Sequence, residues 1–525
     1  MYNLASVLEN NVREQPDKVA IVFDPIRLTY QQLDAMACQV ANALIAEGIG
    51  KGDKVALSCP NLPYFPMIWM GILKAGAVMV PLSVLLRPRE IAYHLSDSDS
   101  VAYFCFDGTP ELPMAQSGWE GFNEVEACKL FFTLSAVPGG PSPIEGVKTF
   151  HELIGEMPTT FETVQCSPDD SAVIIYTSGT TGRPKGAELS HSNLLMNCMV
   201  ASGLFESKPD DVSIAVLPLF HSFGISIMDS NFYVGGTLVL LPRFEAGAVL
   251  KTFQDEGITL FAGVPTMYWE LLNYPNAEDF DLEKIKNTLR LGISGGAALP
   301  VEVLKGFEEK YGVQILEGYG LSETSPTATF NRANKPRKVG SIGLPIWGVD
   351  VKCVDDDMNE VPVGERGEIV IRGHNVMKGY YQRPEANEEA FKGGWFHSGD
   401  VGTMDEDGYF YIVDRIKDMI IRGGFNVYPR ELEEVLLTHP DISLAAVIGV
   451  PSDQFGEEIK AYVVPKAGAS PSPDEIIGWC KNEMAKYKYP RMVEICEGLP
   501  LGATGKILKT ELRKMDEEAR NKAGV

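Results

Sequence analysis

The chain is short of positive charge. With 46 Lys and Arg against 71 Asp and Glu, its formal net charge is −25; it lacks the basic footprint that nucleic-acid binding needs and is ill suited to anionic lipid. Paired cysteine is missing too. The nine cysteines are scattered, with no Cys-x-x-Cys and no histidine clustered beside one. That argues against a disulfide framework and a structural zinc site, and points to reduced thiols in a cytoplasmic protein. The longest apolar stretch, residues 64–82, is broken by Pro66, Gly71, Lys74, Gly76 and Pro81, so no integral membrane segment is expected. Residues 1–18 carry Glu9, Arg13, Glu14, Asp17 and Lys18 among apolar positions, the pattern of an amphipathic helix and not of a signal peptide. There is no internal repeat and no low-complexity tract.

What is present is an ordinary globular composition, 45% hydrophobic and 22% charged over 525 residues, enough for a sizeable core and several domains. The first hundred residues alternate in period, with helices expected over 30–47 and up to 75 and strands at 55–59 and 78–80, which is α/β layering around a parallel sheet. Residues 107–147 are rich in Gly, Pro and Ser with weak periodicity and read as an irregular excursion. After a helix at 192–205 the alternation resumes, with strands expected at 212–217, 236–241, 259–262, 289–294 and 314–317. No boundary separates the first two hundred residues from this second unit. Past residue 340 the runs shorten (349–354, 367–372, 409–413), as in a small β-rich subdomain.

Residues 414–418, Asp-Arg-Ile-Lys-Asp, place four charges between two apolar runs, as a solvated connection does. Beyond it, a helix from 429, strands at 445–450 and 460–464, and helices at 474–486 and 506–518 make a small α+β domain. The expected division is 1–414, a hinge at 415–418, and 419–525.

Residues 176–186 read Tyr-Thr-Ser-Gly-Thr-Thr-Gly-Arg-Pro-Lys-Gly directly after an apolar run. Thr177, Ser178, Thr180 and Thr181 supply hydroxyls, Gly179, Gly182 and Gly186 allow close backbone approach, and Arg183 and Lys185 supply charge, a set suited to a polyphosphate. The Walker A spacing cannot be fitted here. On composition alone a plain surface loop stays open.

Five more motifs follow in order: Pro218-Leu-Phe-His-Ser-Phe-Gly224, Glu317-Gly-Tyr-Gly-Leu-Ser-Glu-Thr324, Gly394-Trp-Phe-His-Ser-Gly-Asp400, Asp414-Arg-Ile-Lys-Asp418 and Pro500-Leu-Gly-Ala-Thr-Gly-Lys506. With them the chain resembles, over nearly its whole length, the adenylate-forming superfamily of acyl- and aryl-CoA synthetases, luciferases and peptide-synthetase adenylation domains, in the acyl-CoA synthetase branch. The resemblance implies an α/β fold: a large N-terminal domain of layered α/β subdomains with a small β-rich subdomain, then a small mobile α+β C-terminal domain. It implies a carboxylic acid:CoA ligase that uses ATP and Mg²⁺, forms an acyl-adenylate, and releases AMP and pyrophosphate. An acyl-AMP ligase loading a carrier protein, or a luciferase-like enzyme, is the alternative. Homodimerisation stays open. Activation by AMP makes chemical sense, because a carboxylate has no leaving group until it is coupled to one, and bringing it to an α-phosphate sets anion against anion.

The same resemblance implies residue roles. Lys506 would bridge carboxylate and α-phosphate, Glu323 would hold Mg²⁺, and Thr177 and His221 would complete the catalytic set. Thr177, Ser178, Gly179, Thr180, Thr181 and Lys185 would surround the outer phosphates. Gly295, Gly296, Ala297, Glu317, Gly318, Tyr319 and Gly320 would border the adenine and Ser322 would meet the α-phosphate. Asp400 would take the ribose hydroxyls, with Arg415 beside it. Phe220, His221, Phe223, Gly224, Gly295, Gly318, Ser325 and Thr327 would line the acyl pocket, Lys417 would be the hinge, and Gly424 would lie against CoA. His221 stands where amino-acid-activating relatives carry Asp, which speaks against an amino-acid substrate and for a medium- or long-chain fatty acid or an aryl acid. On residue type alone, a histidine packed at an apolar helix end stays open.

Overall fold

Two large twisted sheets carry the molecule, described here from a computed structural model for residues 2–177, 183–452 and 454–523. In the first, the strands run in the order Gly379–Tyr380, Lys185–Ser190, Ser171–Thr177, Val78–Pro81, Lys54–Ser58, Ser100–Phe106 and Leu130–Leu134. Its centre is parallel, and its strands read as almost unbroken apolar runs because helices cover both faces. One cover, the helix Tyr64–Lys74, is buried from Phe65 onward. Even Lys74 is 1% exposed, held by Glu9 at 2.6 Å and Asp34 at 2.9 Å.

The second sheet has nine strands, among them Thr327–Phe330, Ile315–Gly320, Leu291–Ser294, Leu260–Gly263, Val212–Ala215 and Thr237–Leu240 in that order. At its far edge sits the chain's first hairpin, Val19–Phe23 with Ile26–Thr29; Val19–Phe23 runs parallel to Thr237–Leu240. The N-terminal strands thus complete a sheet built two hundred residues later, which is why no boundary was visible between the two units.

One expectation is corrected. Residues 107–147 are not an irregular excursion: they hold the helix Met114–Asn123 and the strand Leu130–Leu134, which extends the first sheet in parallel to Ser100–Phe106. The glycines that suggested a loop serve helix packing. A Cβ on Gly121 would come within 2.6 Å of the Pro88 carbonyl, and one on Gly118 within 2.8 Å of Cys105 Sγ. Only bare backbone allows so close an approach.

A four-stranded antiparallel sheet follows, Val349–Val354, Gly367–Gly373, Phe396–Met404 and Phe410–Arg415. The last sheet comprises Phe425–Val427, Ile420–Arg422, Gly456–Pro465 and Ile442–Ser452, with Met492–Ile495 added in parallel to Gly456–Pro465. It is packed by the helices Pro429–Leu437, Pro473–Glu483 and Lys509–Ala523. Buried apolar residues fall into one cluster from Leu4 to Phe410 and two further clusters from Ile420 onward. The last helix starts three residues after Lys506, not at it. A turn intervenes, closed by Gly502 N–H to the Lys506 carbonyl (2.8 Å) and a bridge between Leu501 and Ile507.

Candidate active site

The site lies where strands of both large sheets end. Ile315–Gly320 terminates in Gly318-Tyr319-Gly320 and turns back as Thr327–Phe330. Bare backbone is required here: a Cβ on Gly318 would meet the Phe330 ring at 2.1 Å, and one on Gly320 the Pro326 carbonyl at 1.8 Å. The short 3-10 turn Ser322–Thr324 between them presents Glu323, 8% exposed. Its Oε1 accepts from Tyr380 Oη at 2.9 Å and Thr177 Oγ1 at 3.3 Å, and its carbonyl accepts from Met377 N–H at 2.9 Å. Ser322 Oγ lies 3.3 Å from Ser222 Oγ, at the start of the helix Ser222–Val234.

The hydroxyl-rich segment joins two antiparallel strands, Ser171–Thr177 and Lys185–Ser190, with Thr177 opposite Lys185. Ser178, Gly179, Thr180, Thr181 and Gly182 lie outside the described residues. Lys185 Nζ sits 4.4 Å over the Tyr380 ring, and the Arg183 guanidinium 5.5 Å over Tyr93. Lys185 and the Glu323 carboxylate therefore meet at Tyr380, while Arg183 is held at Tyr93.

Asp400 and Arg415 face each other across the antiparallel pair Phe396–Met404 and Phe410–Arg415. Arg415 Nε is 2.9 Å from Asp400 Oδ1, and Tyr319 Oη donates to Asp400 Oδ2 at 2.6 Å. The β-rich subdomain is thereby tied to the glycine-flanked end of the nine-stranded sheet.

Lys506 enters from the C-terminal segment. The Gly505 carbonyl accepts from Thr266 Oγ1 at 2.6 Å, and the Lys506 side chain passes over Gly296, where a Cβ would lie 2.9 Å from Lys506 Cε. Burial pulls the Lys506 ammonium down to about 8 and the Arg415 charge adds to this, while Asp400 and Glu323 oppose it. His221 precedes the helix Ser222–Val234, its Nδ1 accepting from Phe223 N–H at 3.3 Å. Burial first, then the charge of Lys506, lowers it to about 3, so the ring is neutral at physiological pH.

The remaining sequence-predicted residues divide. Phe220 and Gly224 are buried beside His221, and a Cβ on Gly295 would rest 3.3 Å from the Phe223 ring, so these gather on one wall. Gly296 and Ala297 continue from that turn. Thr327 is buried at the start of its strand. Ser325 turns its hydroxyl to the Asn375 carbonyl at 2.8 Å. Glu317 directs its carboxyl away, accepting from Leu299 N–H at 3.3 Å; burial raises it to about 7, against the pull of Arg430. Lys417 is exposed in the 3-10 turn Ile416–Asp418. Gly424, at φ +82 in the exposed hairpin beyond it, has no neighbour within 4 Å of a would-be Cβ and is not brought to this pocket.

Two residues were missed. Tyr380 belongs to a strand of only two residues, too short for periodicity, although its pairing with Ala187 ties it to the hydroxyl-rich hairpin. Thr266 begins the helix Pro265–Leu272, where a hydroxyl reads as a helix-start residue.

Residues 8–381 match the AMP-binding enzyme family and residues 431–506 the AMP-binding enzyme C-terminal domain. The chain belongs to this family, in the acyl-CoA synthetase branch of the adenylate-forming enzymes. It is an AMP-forming acid:thiol ligase, an ATP-dependent acid:CoA ligase working through an acyl-adenylate. A feruloyl-CoA synthase of Amycolatopsis sp is 38% identical with 96% of both chains covered. A long-chain-fatty-acid–CoA ligase of Bacillus subtilis (strain 168) is 35% identical, covering 99% of this chain and 95% of the relative. ATP-bound MatB from Rhodopseudomonas palustris superposes with a TM-score of 0.89 at 32% identity over 98% of this chain and 99% of that one, whereas its apo form gives 0.79. Among the described residues no helix is long and apolar enough to cross a membrane.

Proposed function

We propose that the pocket between Glu323, Asp400, His221 and Lys506 adenylates a medium- or long-chain fatty acid or an aryl acid and then passes the acyl group to CoA. The observation that carries this is the position of Lys506, which comes from the C-terminal segment yet lies over Gly296 within the fields of Glu323 and Asp400. A cation there draws the acid's carboxylate and the α-phosphate of ATP together. A carboxylate oxygen attacks the α-phosphorus, the bond to the bridging oxygen breaks, and pyrophosphate leaves; the CoA thiol then attacks the acyl carbon and AMP leaves. Lys185, Arg183 and Thr177 would meet the outer phosphates. Asp400 would accept from the ribose, Tyr319 would flank the adenine, and Ser322 would reach the α-phosphate.

Glu323 fits Mg²⁺ held largely by phosphate oxygens, since that ion commonly takes one or two carboxylates and keeps the rest of its shell for substrate and water. Among the described residues no cluster of three or more acidic, His or Cys ligands offers a metal site built from protein alone. When bound, the ion would neutralise phosphate charge.

The acyl class is supported by the neutral His221 and the apolar Phe220 and Phe223, which provide no partner for a substrate cation, and by the likeness to a feruloyl-CoA synthase and a long-chain-fatty-acid–CoA ligase. The unpaired cysteines, nearly all buried, support a cytoplasmic setting. The two arrangements required by the two steps would pivot at Lys417 between domains 1–414 and 419–525, bringing Gly424 to CoA in the second. Pyrophosphate exchange measured across a panel of fatty, aryl and amino acids, followed by thioester detection with CoA and with a carrier protein, tests this. Exchange with fatty or aryl acids and thioester on CoA is expected. Exchange independent of any acid, or thioester only on the carrier, would overturn it.

A further inference from the structure

Bringing Lys506 into the site is opposed by its own burial, which favours the uncharged amine. The Asp400 and Glu323 carboxylates offset this in part, and a contact to the backbone of the turn adds a hold that does not depend on the lysine's charge. The turn is closed on itself by the Gly502 N–H to Lys506 carbonyl bond and the bridge between Leu501 and Ile507. Among the described residues only one side chain of residues 2–414 hydrogen-bonds to the turn 500–507: Thr266, whose Oγ1 donates to the Gly505 carbonyl at 2.6 Å across 239 positions of sequence.

The surroundings are shaped for this contact. Thr266 is 7% exposed and sits in the first turn of Pro265–Leu272. Gly505 has φ +76, and a Cβ there would lie 2.9 Å from Val264 Cγ2 and 3.3 Å from Thr266 Oγ1. The carbonyl is thus presented by a residue with no side chain, at a backbone angle L side chains rarely adopt. Next to it, Gly296 leaves the space through which Lys506 Cε passes.

We propose that Thr266 is the positioning residue that seats the Lys506 turn for adenylation and has no part in thioester formation. The inference rests on the role given to Lys506 above. Because the bond exists only while the turn is docked, removing it lowers the docked population and leaves the other arrangement untouched.

The test compares Thr266→Val, Thr266→Ser and Lys506→Ala with the unaltered enzyme in two assays: acid-dependent pyrophosphate exchange, and CoA thioester formation from supplied acyl-AMP. Thr266→Val keeps the shape and loses the donor. Loss of one buried hydrogen bond predicts roughly a tenfold fall in exchange kcat, with KM for ATP and acid nearly unchanged and thioester formation normal. Thr266→Ser, which keeps the hydroxyl, should restore exchange. Normal exchange in Thr266→Val beside lost exchange in Lys506→Ala overturns the role of Thr266 alone. Normal exchange in both overturns the role of Lys506 beneath it. Equal loss of both half-reactions in Thr266→Val, or no rescue by Thr266→Ser, marks a structural residue and also overturns the proposal.

Discussion

Tyr319 and Asp400 are joined by a 2.6 Å hydrogen bond between residues 81 apart, and the second oxygen of Asp400 is already 2.9 Å from Arg415 Nε. Both carboxylate oxygens are oriented before any substrate is present, leaving their remaining lone pairs for a vicinal diol. The carboxylate also bears on Lys506, since its negative charge is the first of the two that hold the ammonium's proton against burial.

Asp400→Asn should therefore do two things at once. Loss of the charged acceptor should raise KM for ATP about tenfold, the scale of one charge-assisted hydrogen bond. Loss of the negative charge should also lower the Lys506 pKa further, moving the alkaline limb of adenylation below its position in the unaltered enzyme. Steady-state exchange kinetics between pH 6 and 9 read both; a KM effect with a stationary limb would separate Asp400 from Lys506.

The unaltered enzyme supplies the reference. A Lys506 pKa of about 8 in the free site means that the protonated fraction falls as pH rises through 8, so kcat/KM for adenylation should decline there, since that parameter reports the free enzyme. Lys506→Arg, with a group that stays charged, should lose activity through altered reach but show no limb near 8. His221 adds no limb in this range, because at about 3 it is already neutral.

How much of this was visible beforehand follows from how each residue does its work. Gly318, Gly320 and Glu323 stand in one short contiguous motif whose local backbone creates the geometry, so sequence order was enough to gather them. The α/β layering was legible because buried parallel strands and amphipathic helices differ in period. Residues 107–147 misled because Gly118 and Gly121 serve helix packing, and composition alone cannot tell a packing glycine from a turn. Glu317 lies within a motif but turns toward Leu299, a direction set by strand alternation and tertiary neighbours. Tyr380 and Thr266 act on residues 57 and 239 positions away. Such pairings leave no local pattern.

Arg415, at the end of its strand, and Ile416 and Lys417, in the 3-10 turn Ile416–Asp418, are exposed between two separate cores, while the end of the turn is pinned by Asp418 to Arg513 at 2.8 Å. Limited trypsin digestion should cut after Arg415 or Lys417 before other sites, giving fragments of the two domains. ATP with a suitable acid should slow or speed the cut as the docked population changes. Complete resistance in every state would contradict a pivot at Lys417. Arg513→Ala should accelerate cleavage, since it releases Asp418 at the cost of one partly exposed ion pair, about 0.5 kcal/mol.

Glu317 offers a stability measurement independent of catalysis. Its carboxyl is raised from 4.5 to about 7, by burial first, with the Arg430 charge pulling the other way. A carboxyl raised in the folded state is favourable when protonated: below pH 4.5 both folded and unfolded forms carry the proton, and as pH rises from 4.5 to 7 the unfolded form ionises first and stability falls. Above 7 both are ionised and the loss is constant. Glu317→Gln keeps an acceptor for the Leu299 N–H and removes the ionisation. It should therefore raise the melting temperature at pH 8 and change it little at pH 5, the gain appearing between pH 5 and 7. A gain independent of pH would assign the effect to packing, and a loss at pH 8 would mean that the attraction to Arg430 outweighs burial.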